Sequence, residues 1–314
     1  MASPVAARGG AQSRRNLRNG LFFVSPWLIG LSVFMLYPIV ASFYYSLCEY
    51  SVLQPAEFIG LGNYQDLFSD ELFLKSLSNT LVYAAISLPL GLIVSLGLAL
   101  LLNTGVPFMS WYRTVFFLPA LVPQVAIAIV WLWIFNGKFG VLNQALQPML
   151  DVVGRALPGD PKLTAPGWLS DPLWSKPALV LMGAWGVGNS VVIYLAGLQD
   201  VPKQLYEAAE LDGASWSQRI RHVTLPALSP VILFNFIMGI IGSLQFFAVP
   251  YVLSPAGSPS RSIYFLTMYL YDSAFTHLRM GYASAMAWIL FLIIFVLTLL
   301  ALRLSERHVY YGGE

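Results

Sequence analysis

Long uncharged apolar stretches alternate with shorter polar segments along the whole chain. Six of these stretches contain no Asp, Glu, Lys or Arg: Leu21–Leu47, Asn79–Asn103, Thr114–Asn136, Pro177–Gln199, Ala227–Val252 and Tyr282–Leu302. About 20 apolar residues are enough for an α-helix to cross the hydrocarbon core of a bilayer, and such a helix satisfies its own backbone hydrogen-bonding groups. The pattern therefore predicts an all-α polytopic membrane protein with six transmembrane helices. Pro38 lies inside the first stretch and predicts a kink there.

Basic residues are distributed unevenly among the segments that join these stretches. With the N-terminus inside, the inner segments hold ten bases: Arg8, Arg14, Arg15, Arg18, Arg113, Lys203, Arg219, Arg221, Arg303 and Arg307. The outer segments are together longer and hold seven: Lys75, Lys138, Arg155, Lys162, Lys176, Arg261 and Arg279. Loops rich in Lys and Arg stay on the cytoplasmic side. We therefore predict a cytoplasmic N-terminal tail at 1–20, one transmembrane domain at 21–303 and a cytoplasmic C-terminal tail at 304–314.

The inner segment 200–226 (called loop 200–226 below) is an unusually polar part of the chain, and its spacing predicts a helix–turn–helix outside the bilayer. Asp200 can cap the start of the first helix, with Pro202 tolerated in its first turn. Gly213 follows Asp212 and predicts the end of that helix, because glycine adopts the left-handed backbone conformation at little cost. Pro226 begins the next apolar stretch.

The second helix of loop 200–226 has its own start signal. Ser215 is followed three residues later by Gln218, which is the spacing of a capping box. On the first helix, Ala208 and Ala209 are small enough to allow a partner to approach closely. The loop therefore combines two short helices with a sharp reversal between them.

Composition supports a membrane location and excludes several classes of function. The chain is 57% hydrophobic and only 10% charged, whereas soluble domains carry about 25% charged residues. A net charge of +2 without a basic cluster among aromatic residues argues against nucleic acid as a partner. The single Cys48 and three widely separated histidines give no metal-ligand spacing. No P-loop motif is present, so the chain cannot supply an ATPase of that kind itself.

The spacing within loop 200–226 resembles the EAA loop of bacterial ABC-importer membrane subunits. That family pattern is E-A-A-x3-G-x9-I-x-L-P, and it is matched here by Glu207, Ala208, Ala209, Gly213, Val223, Leu225 and Pro226. Val223 replaces the isoleucine of the pattern, which is a mild change. The resemblance implies that the loop is a coupling helix, between transmembrane helices 4 and 5, that docks in a cleft of an ATP-hydrolysing subunit. The alternative is an ordinary amphipathic cytoplasmic loop.

Further stretches resemble the carbohydrate-uptake branch of the same permeases, which includes maltose-type and glycerol-phosphate-type systems. They cover residues 25–47, 58–68, 79–103, 112–135 and 194–215, in the family's order. Around residues 242–259 the chain departs from that pattern, since many relatives carry an acid after an aromatic pair where this chain has Ala248 after Phe247. The departure concerns the identity of the substrate rather than the coupling.

The resemblance implies a set of partners and a location. We expect a bacterial plasma (inner) membrane protein that works with a second permease, as a heterodimer by family habit. Two ATP-binding subunits, an extracytoplasmic sugar-binding protein, a carbohydrate substrate and membrane lipid complete the set. The chain itself is then a transport subunit, not an enzyme, with no catalytic residue, cofactor or metal.

A path for sugars needs uncharged polar side chains for the hydroxyl groups and aromatic faces for the apolar sides of the rings. Within the predicted helices the polar candidates are Gln124, Asn189, Ser190, Asn235, Ser243 and Gln245. Gln245 and Asn235 are preferred because the fifth helix directly follows loop 200–226. The aromatic candidates are Trp131, Trp133, Trp185, Tyr194, Phe247 and Tyr251. Polar side chains in membranes also join helices to one another, so each candidate has a purely structural alternative.

Three other functions fit a polytopic membrane protein. An ion-coupled secondary transporter needs ionisable groups near the middle of the membrane, and the six stretches contain no acid or Lys/Arg. An intramembrane enzyme needs paired acids, a Ser-Lys pair or clustered histidines, none of which occurs in these stretches. A scaffold without a transport role does not need the EAA spacing. The sequence therefore favours the permease subunit of an ATP-driven importer.

Overall fold

The computed structural model describes residues 8–157, 162–306 and 309. The remaining residues, which include Arg307 and most of the predicted tail 304–314, lie outside the described part. The helices are α1 (Arg8–Leu31), α2 (Tyr37–Ser46), α3 (Gly62–Ser69), α4 (Glu71–Leu102), α5 (Met109–Phe117), α6 (Gln124–Ile134), α7 (Val141–Ala156), α8 (Pro172–Trp185), α9 (Gly188–Asp200), α10 (Lys203–Leu211), α11 (Trp216–Arg219), α12 (Leu225–Leu244), α13 (Ala248–Leu253), α14 (Leu266–Tyr271) and α15 (Met280–Ser305). Two short antiparallel strands, β1 (Cys48–Ser51) and β2 (Gln54–Phe58), form a hairpin.

The predicted all-α membrane architecture is confirmed. Four helical segments are long and apolar enough to cross a bilayer: Gln12–Ser46, Glu71–Leu102, Trp216–Leu253 and Met280–Ser305. Two bent helix pairs, α5 with α6 and α8 with α9, bring the number to six if each pair is one span. Many large apolar side chains on these segments are exposed, such as Phe34 and Ile93. Such surfaces are typical of helices that face lipid, since soluble proteins rarely expose large continuous apolar patches.

The third and fourth predicted spans are not single straight helices, which corrects the sequence prediction. The chain bends by 98° between α5 and α6, where a 3₁₀ turn at Leu118–Leu121 contains Pro119 and Pro123 precedes α6. Proline lacks the N–H that an α-helix needs and clashes with the preceding turn. The bend of 46° between α8 and α9 lies at Gly186–Gly188, where glycine weakens helix propagation.

Two π turns each lie just before a proline within a long helical segment. The turn Ser32–Leu36 joins α1 to α2 and ends two residues before Pro38, where the sequence predicts a kink. The turn Ile220–Thr224 joins α11 to α12 and likewise ends two residues before Pro226. A proline ring clashes with the carbonyl four residues earlier in a regular α-helix, and a wider turn at that place relieves the clash.

The described chain divides into two compact units. The first unit combines the residues up to Asp66 with Ser273–Trp288 and contains the β1–β2 hairpin. Asn63 Nδ2 donates hydrogen bonds to the carbonyl oxygens of Ser46 and Cys48, at 2.9 and 2.8 Å, and so holds the hairpin to the end of α2. Strands this short lack the repeated alternation that predicts a strand from sequence, and the hairpin was not among the predicted elements.

The second unit, Leu67–Asp272 with the residues from Ile289 onward, is organised around α4. This helix packs against α8, α9 and α12. The buried residues where α4, α9 and α12 meet form one apolar cluster: Ala99, Leu102, Val191, Tyr194, Leu195, Leu198 and Leu228. Burial of apolar area stabilises this contact by about 25 cal/mol per Å². The cluster fixes α9 and α12, the two helices that flank loop 200–226, on the same partner.

The loop before α14 is tied to α4 through polar contacts. Asn79 Nδ2 donates to the carbonyl oxygens of Arg261 and Tyr264, at 2.8 and 3.0 Å. The hydroxyl of Tyr264 donates to Asp272 Oδ2 at 2.5 Å. Burial, with the neighbouring Asp272 carboxylate, raises the pKa of the Tyr264 phenol above its usual value. The phenol therefore stays a donor at physiological pH.

Candidate functional site

Loop 200–226 folds as the predicted helix–turn–helix, but its first helix starts later than the sequence predicts. Asp200 is the last residue of α9 and caps nothing, which corrects the prediction. Pro202 occupies the N-cap position of α10. The reason lies in the Val201–Pro202 pair, because the residue before a proline is driven to extended backbone. Val201 has φ −67° and ψ 123°, so the chain breaks between α9 and α10.

The reversal after α10 takes place at Gly213, as predicted. Gly213 has φ +75°, in the left-handed region that disfavours other residues. Its N–H donates to the Glu210 carbonyl at 3.0 Å, and the Ala214 N–H donates to the Ala209 carbonyl at 2.9 Å. These two bonds form a Schellman motif, which satisfies the last carbonyls of a helix. The glycine therefore fixes the angle between α10, the first arm of the loop, and α11, the start of its second arm.

The second arm of the loop, α11 with the π turn after it, is continuous with the membrane helix α12. Ser215 and Gln218 form the predicted capping box at the start of α11, with the Ser215 N–H donating to Gln218 Oε1 at 2.7 Å. The π turn Ile220–Thr224 contains Val223, and Leu225 and Pro226 open α12 directly after it. One continuous helical segment therefore runs from Trp216 to Leu244. Residues 216–244 contain no non-helical break between α11 and α12.

Several side chains on loop 200–226 are left exposed by the described part of the chain. Glu207 and Ala208 are exposed and Ala209 is half-buried. Leu211 is 90% exposed and Trp216 is 67% exposed. Exposed aromatic side chains such as that of Trp216 are enriched at protein–protein interfaces.

Two cavities lie between the helices of the second unit, and each has a mainly apolar lining with several polar side chains. The first, called the serine cavity, has a volume of about 240 Å³, and its polar wall consists of Tyr83, Ser87, Ser95, Ser190, Asn235 and Ser243. Ser87 Oγ is shut off from solvent and has no partner in hydrogen-bonding geometry among the described residues. Asn235 Nδ2 donates to the Val231 carbonyl at 3.0 Å, which leaves its carbonyl oxygen for another group. Hydroxyl and amide groups of this kind suit a ligand rich in hydroxyls.

The second cavity, called the amide cavity, has a volume of about 210 Å³ and contains Gln124 and Asn189. Gly183 lines both cavities. The rings of Tyr83, on the serine cavity, and Phe246, on the amide cavity, stack with centroids 4.8 Å apart and planes 6° apart. The two cavities therefore adjoin across a flat aromatic pair.

Five of the six predicted polar path residues line the two cavities, and Gln245 does not. Ser190 and Ser243 line the serine cavity. Asn235 lines the serine cavity, and Gln124 and Asn189 line the amide cavity. Gln245 is exposed at the C-cap of α12, where the helix breaks before α13. Tyr194 is fully buried in the apolar cluster, so it packs the core rather than lining either cavity.

Phe247 lies in an aromatic group, stacked on Tyr251 with centroids 5.0 Å apart and tilted against Tyr271 at 5.2 Å. Tyr83 and Ser87, which line the serine cavity, were missed by the sequence reasoning. The available signal was a repeat of small and polar residues every four positions along α4, from Tyr83 through Ser87 and Gly91 to Ser95. That spacing puts them on one face of a helix.

Comparison with known proteins identifies the family. A family model described as a binding-protein-dependent transport system inner membrane component matches residues 66–309. The chain belongs to this family. The membership expected from loop 200–226 and its neighbouring motifs is thus confirmed. The protein is a permease, an inner-membrane transport subunit, of a transporter that works with a binding protein.

Similar proteins agree with this assignment over nearly the whole permease. A probable ABC transporter permease protein of Bacillus subtilis (strain 168), YesP, is 36% identical over 96% of this chain and 94% of its own length. The lactose transport system permease protein LacF of Rhizobium radiobacter is 34% identical over 90% of this chain and 92% of its own.

A solved structure shares the fold. A chain of a bacterial ABC transporter involved in the import of the acidic polysaccharide alginate superposes with a TM-score of 0.79 at 24% identity, over 95% of this permease and 99% of that chain. The fold is therefore that of an ABC-importer permease.

Proposed function

We propose that this permease forms, with a second and different permease, the path through which a carbohydrate is taken up, and that two separate ATP-hydrolysing subunits drive it. An extracytoplasmic sugar-binding protein delivers the substrate. The observation that carries the proposal is the helical continuity from α11 through the π turn into α12. A partner that grips loop 200–226 moves a helix that lines the serine cavity. If that partner holds the loop differently in its two states, the path opens alternately to the two sides of the membrane, which is alternating access.

Each EAA residue has a role in this proposal. Glu207 meets basic or polar groups in a cleft of the ATPase subunit, and Ala208 and Ala209 allow α10 to approach that cleft closely. Gly213 reverses the chain so that the second arm returns to the membrane. Val223, Leu225 and Pro226 connect this arm to α12. The orientation that this requires, with loop 200–226 and both termini in the cytoplasm, is supported by the excess of basic residues on that side.

A cross-linking experiment tests the docking. In the assembled complex, a cysteine introduced by Ala209→Cys and treated with a short bifunctional reagent should capture an ATPase subunit. The native Cys48 is fully buried, so the new thiol is the reactive one. Leu53→Cys, on the 79% exposed tip of the β1–β2 hairpin, is the control and should capture no ATPase. Failure of Ala209→Cys to capture an ATPase subunit, or labelling of that cysteine from the periplasm, would remove the basis of the proposal.

The chemistry of the two cavities favours an uncharged carbohydrate. Every residue that lines the serine and amide cavities has an uncharged side chain. A carboxylate or phosphate moved into such a place loses its water without gaining a cationic partner, which is costly. The hydroxyl groups of a neutral sugar, in contrast, find serine hydroxyls and amides as hydrogen-bond partners. The apolar faces of its rings find the Tyr83–Phe246 aromatic pair. One relative is a lactose permease and the solved structure belongs to an importer of an acidic polysaccharide, so the lining of the cavities, not the relatives, carries this proposal.

Uptake into proteoliposomes that contain the complete complex and its binding protein tests this substrate class. We expect ATP-dependent uptake of neutral oligosaccharides, and uptake of uronic acid oligomers or sugar phosphates of similar size at least about tenfold slower, which corresponds to about 1.4 kcal/mol. Faster uptake of the anionic sugars would contradict the neutral substrate class but not the permease assignment. Uptake driven by an ion gradient without ATP would instead favour a secondary transporter.

A further inference from the structure

Two side-chain contacts tie the arms of loop 200–226 to each other. Arg219 Nη1 forms an ion pair with Glu210 Oε1. Near the other end of the arms, the Tyr206 and Thr224 hydroxyls are hydrogen-bonded at 3.0 Å. Thr224 is 2% exposed, so this second contact is well shielded from water. The two contacts connect α10 with α11 and with the π turn before α12, and none of the four residues is itself a fixed position of the family pattern.

The spacing of the contacts depends on the π turn. Tyr206 and Glu210 are four residues apart on α10, which places them on one face, one turn apart. Arg219 and Thr224 are five residues apart, and in a regular α-helix this spacing would point them about 140° away from each other. The π turn Ile220–Thr224 has a wider turn with i→i+5 hydrogen bonds. It brings Thr224 below Arg219, and Thr224 Oγ1 reaches the Arg219 carbonyl at 3.4 Å.

Packing alone does not hold the two arms together. A cavity of about 190 Å³ lies between them and the adjoining ends of α4 and α9, and Tyr206, Trp216, Arg219 and Thr224 all line it. An unfilled space of this kind leaves room for one arm to shift against the other, because the side chains around it lack contacts on one side. The Tyr206–Thr224 hydrogen bond joins the two arms at the wall of this space, and Arg219 lines it beside them.

Arg219 depends strongly on its acidic partner. Its side chain is 26% exposed, against 61% for Glu210, and its Nε is shielded without a hydrogen-bond partner among the described residues. A charge that is partly withdrawn from water needs a compensating charge. An exposed ion pair is weak in water, but a subunit that covers Glu210 displaces that water and strengthens the pair.

We propose that the Glu210–Arg219 ion pair and the Tyr206–Thr224 hydrogen bond, which the π turn places in register, hold loop 200–226 as one rigid unit. These two contacts are together called the brace below. Tyr206, Glu210, Arg219 and Thr224 are positioning residues in this proposal. They transmit movement of α10 to α12 and prevent the turn at Gly213 from absorbing it. The proposal rests on the coupling role given to loop 200–226 under the proposed function.

The number of ATP molecules hydrolysed per sugar taken up tests the brace, measured in proteoliposomes with the complete complex. Glu210→Gln and Arg219→Gln each remove the ion pair, and Tyr206→Phe removes the Tyr206–Thr224 hydrogen bond with little change of shape. We expect each to raise this ratio about two- to fivefold, with the complex assembled in normal amounts. Tyr206→Phe keeps the aromatic ring and removes only the hydroxyl, so it remains informative if a charge variant fails to assemble.

A charge exchange separates the brace from a general need for these side chains. The double variant Glu210→Arg with Arg219→Glu restores the ion pair in the reverse sense and should return the ratio towards that of the native complex. Asp200→Asn removes an acid at the end of α9, outside the brace, and should leave the ratio unchanged. A native ratio in all three single variants, or a double variant as uncoupled as the single ones, overturns the brace. Loss of ATPase capture at Ala209 instead contradicts the proposed docking itself.

Discussion

Replacing Gly213 with valine is expected to abolish sugar uptake while ATP hydrolysis by the complex continues. The reason is the backbone rather than space, because a Cβ atom added at Gly213 would meet nothing within 4 Å. At φ +75°, however, a residue with a side chain costs about 1–2 kcal/mol, and β-branching makes this position worse. The chain relieves the strain by leaving the left-handed conformation. It then loses the bonds from Gly213 N–H to Glu210 and from Ala214 N–H to Ala209, and α10 no longer has a fixed angle to α11.

Uptake and ATP hydrolysis measured on the same proteoliposomes test this prediction. Asparagine adopts the left-handed conformation more readily than other residues with a side chain, so Gly213→Asn should keep a large part of the coupled uptake. Gly105→Val is a matched control in the segment between α4 and α5, where glycine has open space and no positive φ. Normal uptake by Gly213→Val would show that the turn does not set the coupling geometry.

Loop 200–226 could be predicted closely from the sequence because its signals are local. A left-handed turn at Gly213 and a capping box at Ser215 and Gln218 are decided by residues within a few positions of each other. The exception is Asp200, whose capping preference was overruled by the backbone restriction that Pro202 imposes on Val201. Asp200 and Pro202 lie two residues apart, and the backbone restriction from Pro202 is the stronger signal, so it decides the local structure.

The bends within the spans were harder to predict, although their prolines and glycines are visible. Prolines are tolerated in membrane helices when local turns satisfy the freed backbone groups. Pro89 lies inside the continuous α4, whereas Pro119 and Pro123 accompany a 98° bend. The difference depends on what surrounds each proline in the folded protein. Apolarity alone therefore predicts that a segment enters the membrane, but not that it crosses as a straight helix.

The candidate path was predictable only in part, since a cavity is formed by helices that are distant in sequence. Asn235 on α12 and Ser87 on α4 share the serine cavity although 148 positions separate them along the chain (235 − 87). Tyr194 illustrates the opposite case, because an aromatic residue in a membrane helix packs the core as readily as it lines a path. Residue type selects candidates, and the packing of α4, α9 and α12 decides among them.

The junction between the two cavities supplies the second prediction with a large effect. Gly183 lines both cavities, and a Cβ added there would lie 3.6 Å from Tyr83 Oη, which is an ordinary contact. Gly183→Ala should therefore change uptake little. Gly183→Leu places three more carbon atoms in the space next to the Tyr83–Phe246 pair. We expect it to reduce the uptake rate more than about tenfold, or by about 1.4 kcal/mol in the barrier for passage.

Initial rates of uptake, normalised to the amount of assembled complex, test this obstruction. Basal ATP hydrolysis should remain, because loop 200–226 is unchanged, and stimulation by the sugar-loaded binding protein should fall with uptake. Gly97→Leu on α4 is the matched control, since a Cβ at Gly97 meets nothing within 4 Å and Gly97 lines neither cavity. If Gly183→Leu carried sugar as fast as Gly97→Leu, the sugar would not pass the Tyr83–Phe246 pair. The path would then have to run along another face of α8 and α12, for example past the exposed Gln245.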